Sequence, residues 1–156
     1  MLQGLLRCVP CKCRMSPTCV AGSAGTRYRY YACSNAQRRG WQQCPSKSLS
    51  ASAIERLVIT QVRALANDPD RLREMAAELP RDLAVEDPAG DAEGTTTAPP
   101  LDVIRQPAWD DLSPEEKAAV VRGLIERVNY DGARGKVAVT FRPAGILAIA
   151  AREEVS

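Results

Sequence analysis

The chain of 156 residues contains no histidine, and this absence excludes several common active sites. Neither a Ser-His-Asp triad nor a Cys-His pair can be built without an imidazole to accept the nucleophile's proton. Aromatic residues make up only 4% of the sequence, with one phenylalanine, so a large aromatic core is excluded as well. We therefore predict a protein that is not an enzyme and has no catalytic residues.

Long apolar runs are also absent. No run approaches the roughly 18 residues that a membrane-spanning helix needs. Near the amino terminus, Arg7 directly follows Leu5 and Leu6 and ends the apolar run, so the apolar core of a signal peptide is missing. Without export, cysteines more often bind metal or stay as free thiols than form disulfides. These features predict a cytoplasmic protein with no membrane partner.

Acidic residues are missing from the first 54 positions, which carry eight lysines and arginines. The other positions hold 13 basic and 19 acidic residues, so the net charge of +2 conceals a basic module joined to an acidic remainder. A strongly basic module favours a polyanionic partner, most simply nucleic acid. An ordinary solvated basic surface is the alternative, and the complete absence of acids makes it the weaker one.

Six cysteines are present, and four of them have the spacing of a structural zinc site. Cys8 and Cys11 form a C-x-x-C turn, while Cys33 and Cys44 follow a basic, aromatic stretch. Four thiolates in a tetrahedron close a zinc ion to water, which stabilises a fold but leaves no position for catalysis. The first fifty residues are too few to hold a core unaided. We predict one structural Zn²⁺ held by Cys8, Cys11, Cys33 and Cys44.

The remaining two cysteines are predicted to be free thiols. Cys13 lies two residues beyond Cys11, where the turn should already leave the metal, and Cys19 falls in a predicted loop without a close partner. Two alternatives stay open. Cys11 and Cys13 could compete for one ligand position, or Cys13 could pair with Cys19 on oxidation.

The sequence predicts an α+β protein. Segment 84–108 is rich in Pro, Gly, Thr and acids and has too little apolar content to fold. The predicted segments are a zinc β-ribbon at 1–50, a helical segment at 51–83, a flexible linker at 84–108, a helix and β-hairpin at 109–146, and a tail at 147–156.

Local patterns predict the individual elements. Strands are predicted at 2–8 and 27–33, the second from its alternating side chains. Ser52 and Glu55 have the spacing of a capping box that opens a helix at 52–66. The apolar face of that helix is predicted to hold Ile54, Leu57, Val58, Val62 and Leu65.

Two more helices are predicted further along the chain. Asp68 can cap a helix that starts at Pro69 and reaches about Leu79. Ser113 can cap a helix at 114–127, with Glu116 completing the box. That helix should bury Val121, Leu124, Ile125 and Val128, and a hairpin that turns between Gly132 and Gly135 should follow it. The acidic pairs Asp110-Asp111 and Glu115-Glu116 are better explained as charge at a helix start than as a catalytic dyad.

The cysteines and their neighbours together resemble the zinc β-ribbon of the large serine recombinases, of the resolvase-invertase family. A softer likeness extends over 109–146, from Trp109 through Ser113-Pro114 to Val128-Asn129-Tyr130. The stretches that carry the stronger likeness are Leu5-Leu6-Arg7-Cys8-x-x-Cys11-x-x-Arg14-Met15, Arg27-Tyr28-Arg29-Tyr30-Tyr31-x-Cys33, and Cys44-Pro45.

The resemblance implies a DNA-binding ribbon with one structural zinc. In that family, catalysis belongs to a separate domain with a nucleophilic serine, and a long coiled coil commonly separates the two similar blocks. This sequence shows a short helix and a loose linker instead. We therefore expect the carboxy-terminal piece of a recombinase without the catalytic domain, either a fragment, a remnant or a stand-alone derivative.

The expected partner is double-stranded DNA, with a parent serine recombinase as a further possibility. Tyr28, Tyr30 and Tyr31 could contact DNA, but tyrosines on a ribbon strand usually pack one face of it. Trp41 is open to the same two interpretations. A zinc-ribbon adaptor that binds protein is the alternative function, and a translated relic without selected function is a third. The predicted DNA-binding residues are Arg7, Lys12, Arg14, Arg27, Tyr28, Arg29, Arg38, Arg39 and Lys47.

Overall fold

A computed structural model describes residues 1–78 and 108–153, and it confirms the α+β class. Its strands are β1 (Leu6–Cys8), β2 (Met15–Ala21), β3 (Arg27–Cys33), β4 (Ser48–Ser50), β5 (Ile125–Asp131) and β6 (Lys136–Phe141). Its helices are α1 (Ser34–Arg39), α2 (Ala51–Ala66), α3 (Pro69–Glu78), α4 (Ala108–Asp111), α5 (Pro114–Leu124) and α6 (Pro143–Glu153), with a short 3-10 turn at Trp41–Gln43.

Three predicted segments extend beyond the described residues, and the helical segment at 51–83 does so from 79 onward. The predicted linker lies outside them from 84 to 107, and Ala108 already begins α4. Of the predicted tail at 147–156, residues 147–153 form the end of α6, which begins at Pro143. Within the described residues, no helix is long and apolar enough to cross a membrane.

One antiparallel sheet has the strand order β2-β3-β4. Strand β3 has the predicted bounds and pairs with β2 from Met15↔Cys33 to Ala21↔Arg27. Cys19 lies in β2, opposite Arg29, so its predicted place in a loop is wrong. The side chains of Val20 and Tyr28 lie opposite each other near the hairpin tip.

A second sheet has the order β1-β5-β6 and begins with a parallel pair. Leu6 pairs with Val128 and Cys8 with Tyr130. Strand β1 is shorter than predicted, because the chain turns at Gly4, which has a φ of 84°. Helix α5 also ends earlier than predicted, at Leu124, because Ile125 adopts the extended conformation and begins β5.

The chain divides into two compact units. The first unit contains residues 1–60 and 126–140, and the second contains 61–125 and 141–156. The carboxy-terminal hairpin therefore belongs with the cysteine-rich ribbon. The core of the first unit includes Leu2, Leu6, Met15, Tyr31, Ile54, Val58 and Val128.

Helices build the described part of the second unit, in which α3 and α5 both pack against α6. Ser113 accepts a hydrogen bond from the Glu116 backbone N–H, while the Glu116 carboxylate accepts one from the Ser113 N–H, which confirms this predicted capping box. Asp68 likewise accepts from the Arg71 N–H, at 3.1 Å, and caps α3 as predicted.

The capping box predicted at Ser52 and Glu55 is wrong. Helix α2 already begins at Ala51, and the Ser52 hydroxyl lies 3.0 Å from that of Ser50. Leu57 is 39% exposed, so it does not share the buried face of α2 as predicted. The Glu55 carboxylate has other partners, on strand β3.

Candidate metal centre and nucleic-acid surface

Four cysteine sulfurs gather at one end of the ribbon. The Sγ atoms of Cys8, Cys11, Cys33 and Cys44 all lie within 4.8 Å of one another, and those of Cys8 and Cys44 are 3.5 Å apart. With Zn–S bonds of about 2.3 Å, a tetrahedral ion places its ligand sulfurs about 3.8 Å apart. The cluster therefore fits one structural zinc ion.

The first two sulfurs come from a tight turn that leaves β1. The Cys8 N–H donates to the Cys13 carbonyl at 2.9 Å, which closes the turn around Cys11. Lys12 has a φ of 56°, a left-handed conformation that lets the chain reverse directly after the second sulfur. Cys13 directs its thiol to the Cys11 carbonyl, at 3.2 Å, and belongs to no described metal-binding cluster.

The other two sulfurs close a longer loop. Cys33 ends β3, and Cys44 follows α1 and the 3-10 turn. The Cys33 N–H donates to the Lys47 carbonyl at 2.9 Å, so the two ends of the loop are held together by backbone as well as by sulfur. Both cysteines are almost fully buried, as is Cys8, so three of the four sulfurs are shielded from water.

Asn35 supports the cluster and was missed by the sequence analysis. Its side-chain amide donates to Cys11 Sγ at 3.3 Å, a contact that orients this most exposed of the four sulfurs. Hydrogen bonds from such neighbours fix metal ligands in place. Asn35 follows Cys33 by two residues, but no spacing rule distinguishes it from an ordinary first-turn helix residue.

The electrostatics of the cluster suit a cation. Burial raises the pKa of the Cys8 thiol to about 11 and also raises that of Cys44. Contact with the Cys44 sulfur lowers the pKa of Cys11, and the Asn35 amide lowers it further. Buried thiolates need a compensating positive charge, which a divalent metal ion supplies directly.

Ser46 connects this cluster to the carboxy-terminal hairpin. Its side chain is 2% exposed, and its hydroxyl accepts a hydrogen bond from the Gly132 N–H at 2.6 Å. Ser46 lies two residues after Cys44, and its backbone partly offsets the rise in the Cys44 pKa. The turn between β5 and β6 therefore braces the segment that carries the fourth sulfur.

The predicted DNA-binding residues are mostly exposed. Arg7 is the exception, since it lies half-buried on β1. Tyr28 is 52% exposed and lies over Gly22 near the hairpin tip. The exposed members are Lys12, Arg14, Arg27, Tyr28, Arg29, Arg38, Arg39 and Lys47.

Among the described residues of the predicted DNA-binding set, Arg29 differs from the other exposed arginines because it has an acidic partner. Its Nη2 lies 3.0 Å from Glu55 Oε2, and its side chain remains 60% exposed. Glu55 Oε1 also accepts a hydrogen bond from the buried Tyr31 hydroxyl at 2.9 Å, and Tyr31 accepts from the Leu2 N–H at 3.0 Å. Arg29 and Tyr31 thus both connect β3 to α2 through Glu55, and the buried Tyr31 has a packing role.

Tyr31 gives the first unit a testable sensitivity to alkali. Burial raises the Tyr31 pKa to about 12; the Leu2 N–H partly offsets this, and Glu55 adds to it. Because the folded pKa exceeds the unfolded value near 10, the contribution to stability is complete below pH about 10 and is lost as the pH approaches 12. The free energy of unfolding should therefore fall by up to about 2–3 kcal/mol across that range.

Denaturant unfolding at pH 8 to 12 measures this loss, with Tyr31→Phe as the control. The variant is expected to be less stable at pH 8, because the Leu2 N–H and Glu55 lose a partner, and to show less alkaline loss. Equal alkaline slopes for the two proteins would assign the loss to other groups.

The carboxy-terminal hairpin adds positive charge that the sequence analysis assigned to the acidic half. With residues 126–140 included, the first unit has 12 lysines and arginines against three acidic residues, whereas the second has nine against 16. The hairpin contributes Arg127, Arg134 and Lys136 together with Glu126 and Asp131, and α2 contributes Arg56 and Glu55. The sequence alone does not assign the basic residues of the hairpin to this unit, because the pairing of β5 with β1 is what places the hairpin there.

Comparison with known proteins identifies one family model and two solved structures to which this chain is similar. The family model of the recombinase zinc beta ribbon domain matches residues 1–63. No match is found among curated proteins. A solved structure described as "Crystal Structure of a LSR-DNA Complex" is similar with a TM-score of 0.55 and 18% identity, over 90% of this chain and 55% of that one.

A second solved structure, described as "Sequence Requirements of the Listeria innocua prophage attP site", has a TM-score of 0.51 and 18% identity, over 90% of this chain and 42% of its own. This chain therefore spans about half the length of these two proteins, or less. At that identity the likeness establishes a shared fold, while the family match covers the residues that bring the four sulfurs together. The family match is thus confined to the first 63 of the 156 residues, the part of the chain that supplies all four sulfurs.

Proposed function

We propose that the first unit is a DNA-binding module and that binding, not catalysis, is the function of this chain. The observation that carries the proposal is the segregation of charge between the two units. Twelve basic residues share the first unit with three acidic ones, and two of these three acids already have partners. Glu55 is paired with Arg29, and Asp131 accepts the Ala133 and Arg134 N–H groups.

Zinc serves this function by fixing the surface. Four thiolates on Zn²⁺ contribute two net negative charges, and the first unit keeps a net charge of about +7 after this correction. The metal removes loop entropy before DNA arrives, so that exposed arginines are presented on a fixed frame. Each phosphate that they neutralise releases counterions and makes the affinity salt-dependent.

The similar structures support DNA as the polyanion. One is an LSR–DNA complex and the other concerns a prophage attP site. Among the predicted contacts, Arg27, Arg38 and Arg39 are the best candidates for reading bases, because an arginine can bind guanine with two hydrogen bonds. Arg29 is a weaker candidate, since Glu55 already engages it. The acidic second unit is proposed to support the first without touching DNA.

The salt dependence of DNA binding tests the proposal. If four to six phosphates are neutralised, the logarithm of affinity should fall with the logarithm of salt concentration at a slope of roughly −4 to −5. Replacing Arg27 and Arg38 by glutamine should weaken binding and flatten the slope by up to about two. Anisotropy of a labelled duplex, titrated with full-length protein at several KCl concentrations, measures both quantities.

A charge-matched control separates a local effect from a change in net charge. Arg71→Gln with Arg122→Gln removes the same two charges from exposed positions of the second unit, and it should leave the slope unchanged. A flat salt response of the wild-type protein would contradict DNA binding, as would equal losses in the two double variants. Salt-insensitive capture of a recombinase without duplex binding would favour the protein adaptor instead.

A further inference from the structure

Trp41 is the largest exposed apolar side chain of the basic unit. It is 50% exposed, whereas the other tryptophan, Trp109, is only 3% exposed. Tryptophan has much apolar surface to bury and is enriched where proteins contact partners. Half of that surface remains open to water on a unit that buries Tyr31 and Met15 almost completely.

The backbone beneath Trp41 is held in place at both ends. The 3-10 turn follows Gly40, whose φ of 108° lets the chain leave α1 abruptly. The Gly40 N–H donates to the Ala36 carbonyl, and the Gln43 N–H donates to the Gly40 carbonyl. The next residue is the metal-binding Cys44, so a zinc ion anchors the loop directly after the turn. Little conformational entropy is then lost when Trp41 meets a partner.

The side chains around Trp41 match nucleic acid in their chemistry. Arg38 and Arg39 are exposed in the last turn of α1, and Gln42 and Gln43 are exposed in the 3-10 turn. No acidic residue occurs before Glu55. Arginines neutralise phosphates, amide side chains bond to base edges, and an aromatic ring packs on a sugar or a base.

We infer that Trp41 is a DNA-contacting residue, whose indole packs on a sugar or base while Arg38 and Arg39 bind neighbouring phosphates. The inference rests on the proposed DNA binding of the first unit and adds an apolar contact to it. Because the indole is uncharged, its contribution to affinity must be independent of salt. This separates Trp41 from every arginine of the same surface.

Trp41→Ala tests the inference through affinity and salt slope together. The indole can bury at most its exposed half against a sugar or base edge, so its loss is expected to weaken duplex binding about 4- to 10-fold, with the wild-type slope retained. Arg38→Gln should instead flatten the slope by about one. Leu57→Ala, on α2 and 39% exposed, is the apolar control and should bind as the wild type does.

Fluorescence gives a second measurement that needs no loss of affinity. Saturating duplex should quench the tryptophan emission of the wild-type protein, over the same concentration range as the anisotropy change. Trp41→Phe retains only Trp109 and should show no such quench. Zinc content and circular dichroism establish that each variant is folded.

The outcomes distinguish this inference from the function on which it rests. Normal affinity of Trp41→Ala with no Trp41 quench overturns the contact, while a steep salt slope still supports DNA binding. An absence of duplex binding in the wild-type protein overturns both. Emission that changes with protein concentration alone would assign Trp41 to contact between copies of the chain and overturn the inference.

Discussion

Removal of zinc is expected to unfold the first unit. Structural zinc sites contribute about 10–16 kcal/mol of apparent binding free energy, as much as the whole stability of a typical domain. Cys8→Ser and Cys33→Ser should therefore contain no zinc and should lose the β-sheet signal of the ribbon. Chelation of the wild-type protein should do the same. Metal analysis and circular dichroism measure the two effects.

The two cysteines outside the cluster provide matched controls. Cys13→Ser and Cys19→Ser make the same chemical change, and both are expected to keep one zinc per chain. Cys13 hydrogen-bonds a backbone carbonyl and Cys19 is exposed on β2. Zinc loss in Cys13→Ser together with retention in Cys33→Ser would move the site to a different set of sulfurs.

Spacing was enough to predict the cluster because zinc itself imposes the spacing. A C-x-x-C turn brings two sulfurs to one ion from residues three positions apart, and a later pair of cysteines can complete the tetrahedron. The structure brings together the four predicted cysteines, within 4.8 Å of one another. Strand β3 and the Ser113 capping box were equally predictable, since both depend on patterns within seven residues.

The end of α5 was not predictable from such patterns. Val121, Leu124, Ile125 and Val128 repeat at helical intervals, and all four are buried as predicted. Yet Ile125 and Val128 lie in β5, where neighbouring side chains alternate. What decides the conformation is the pairing of β5 with β1, more than a hundred residues earlier in the chain. Periodicity carries no information about a partner at that distance.

Glu55 is a second case in which local spacing does not predict the contacts of a residue. Its spacing from Ser52 satisfies the capping-box pattern, but its carboxylate binds Tyr31 and Arg29 on β3. A hydrogen bond with a buried hydroxyl and a charged arginine outweighs a local cap of about 1 kcal/mol. The same contact separates Arg29 from the other predicted DNA-binding residues.

Gly132→Ala is expected to destabilise the first unit by about 2–4 kcal/mol. A Cβ atom at this position would lie 2.9 Å from both Cα and Oγ of Ser46 and 3.0 Å from the Tyr130 hydroxyl. Because one of these atoms is backbone, a rotamer change cannot relieve the overlap. The turn must move away and lose its 2.6 Å hydrogen bond to Ser46. Denaturant unfolding with zinc present measures the change.

The same substitution should also weaken zinc binding, which makes the link between hairpin and metal testable. Ser46 lies only two residues after Cys44, so displacement of Ser46 also shifts the backbone that positions this sulfur. A loss of 2 kcal/mol in the site corresponds to roughly 30-fold weaker zinc affinity. Gly135→Asn is the control in the same turn, since asparagine tolerates the φ of 63° and nothing lies within 4 Å of a Cβ there. If Gly132→Ala were unstable but bound zinc as tightly as Gly135→Asn, the hairpin would stabilise the fold without bracing the metal site.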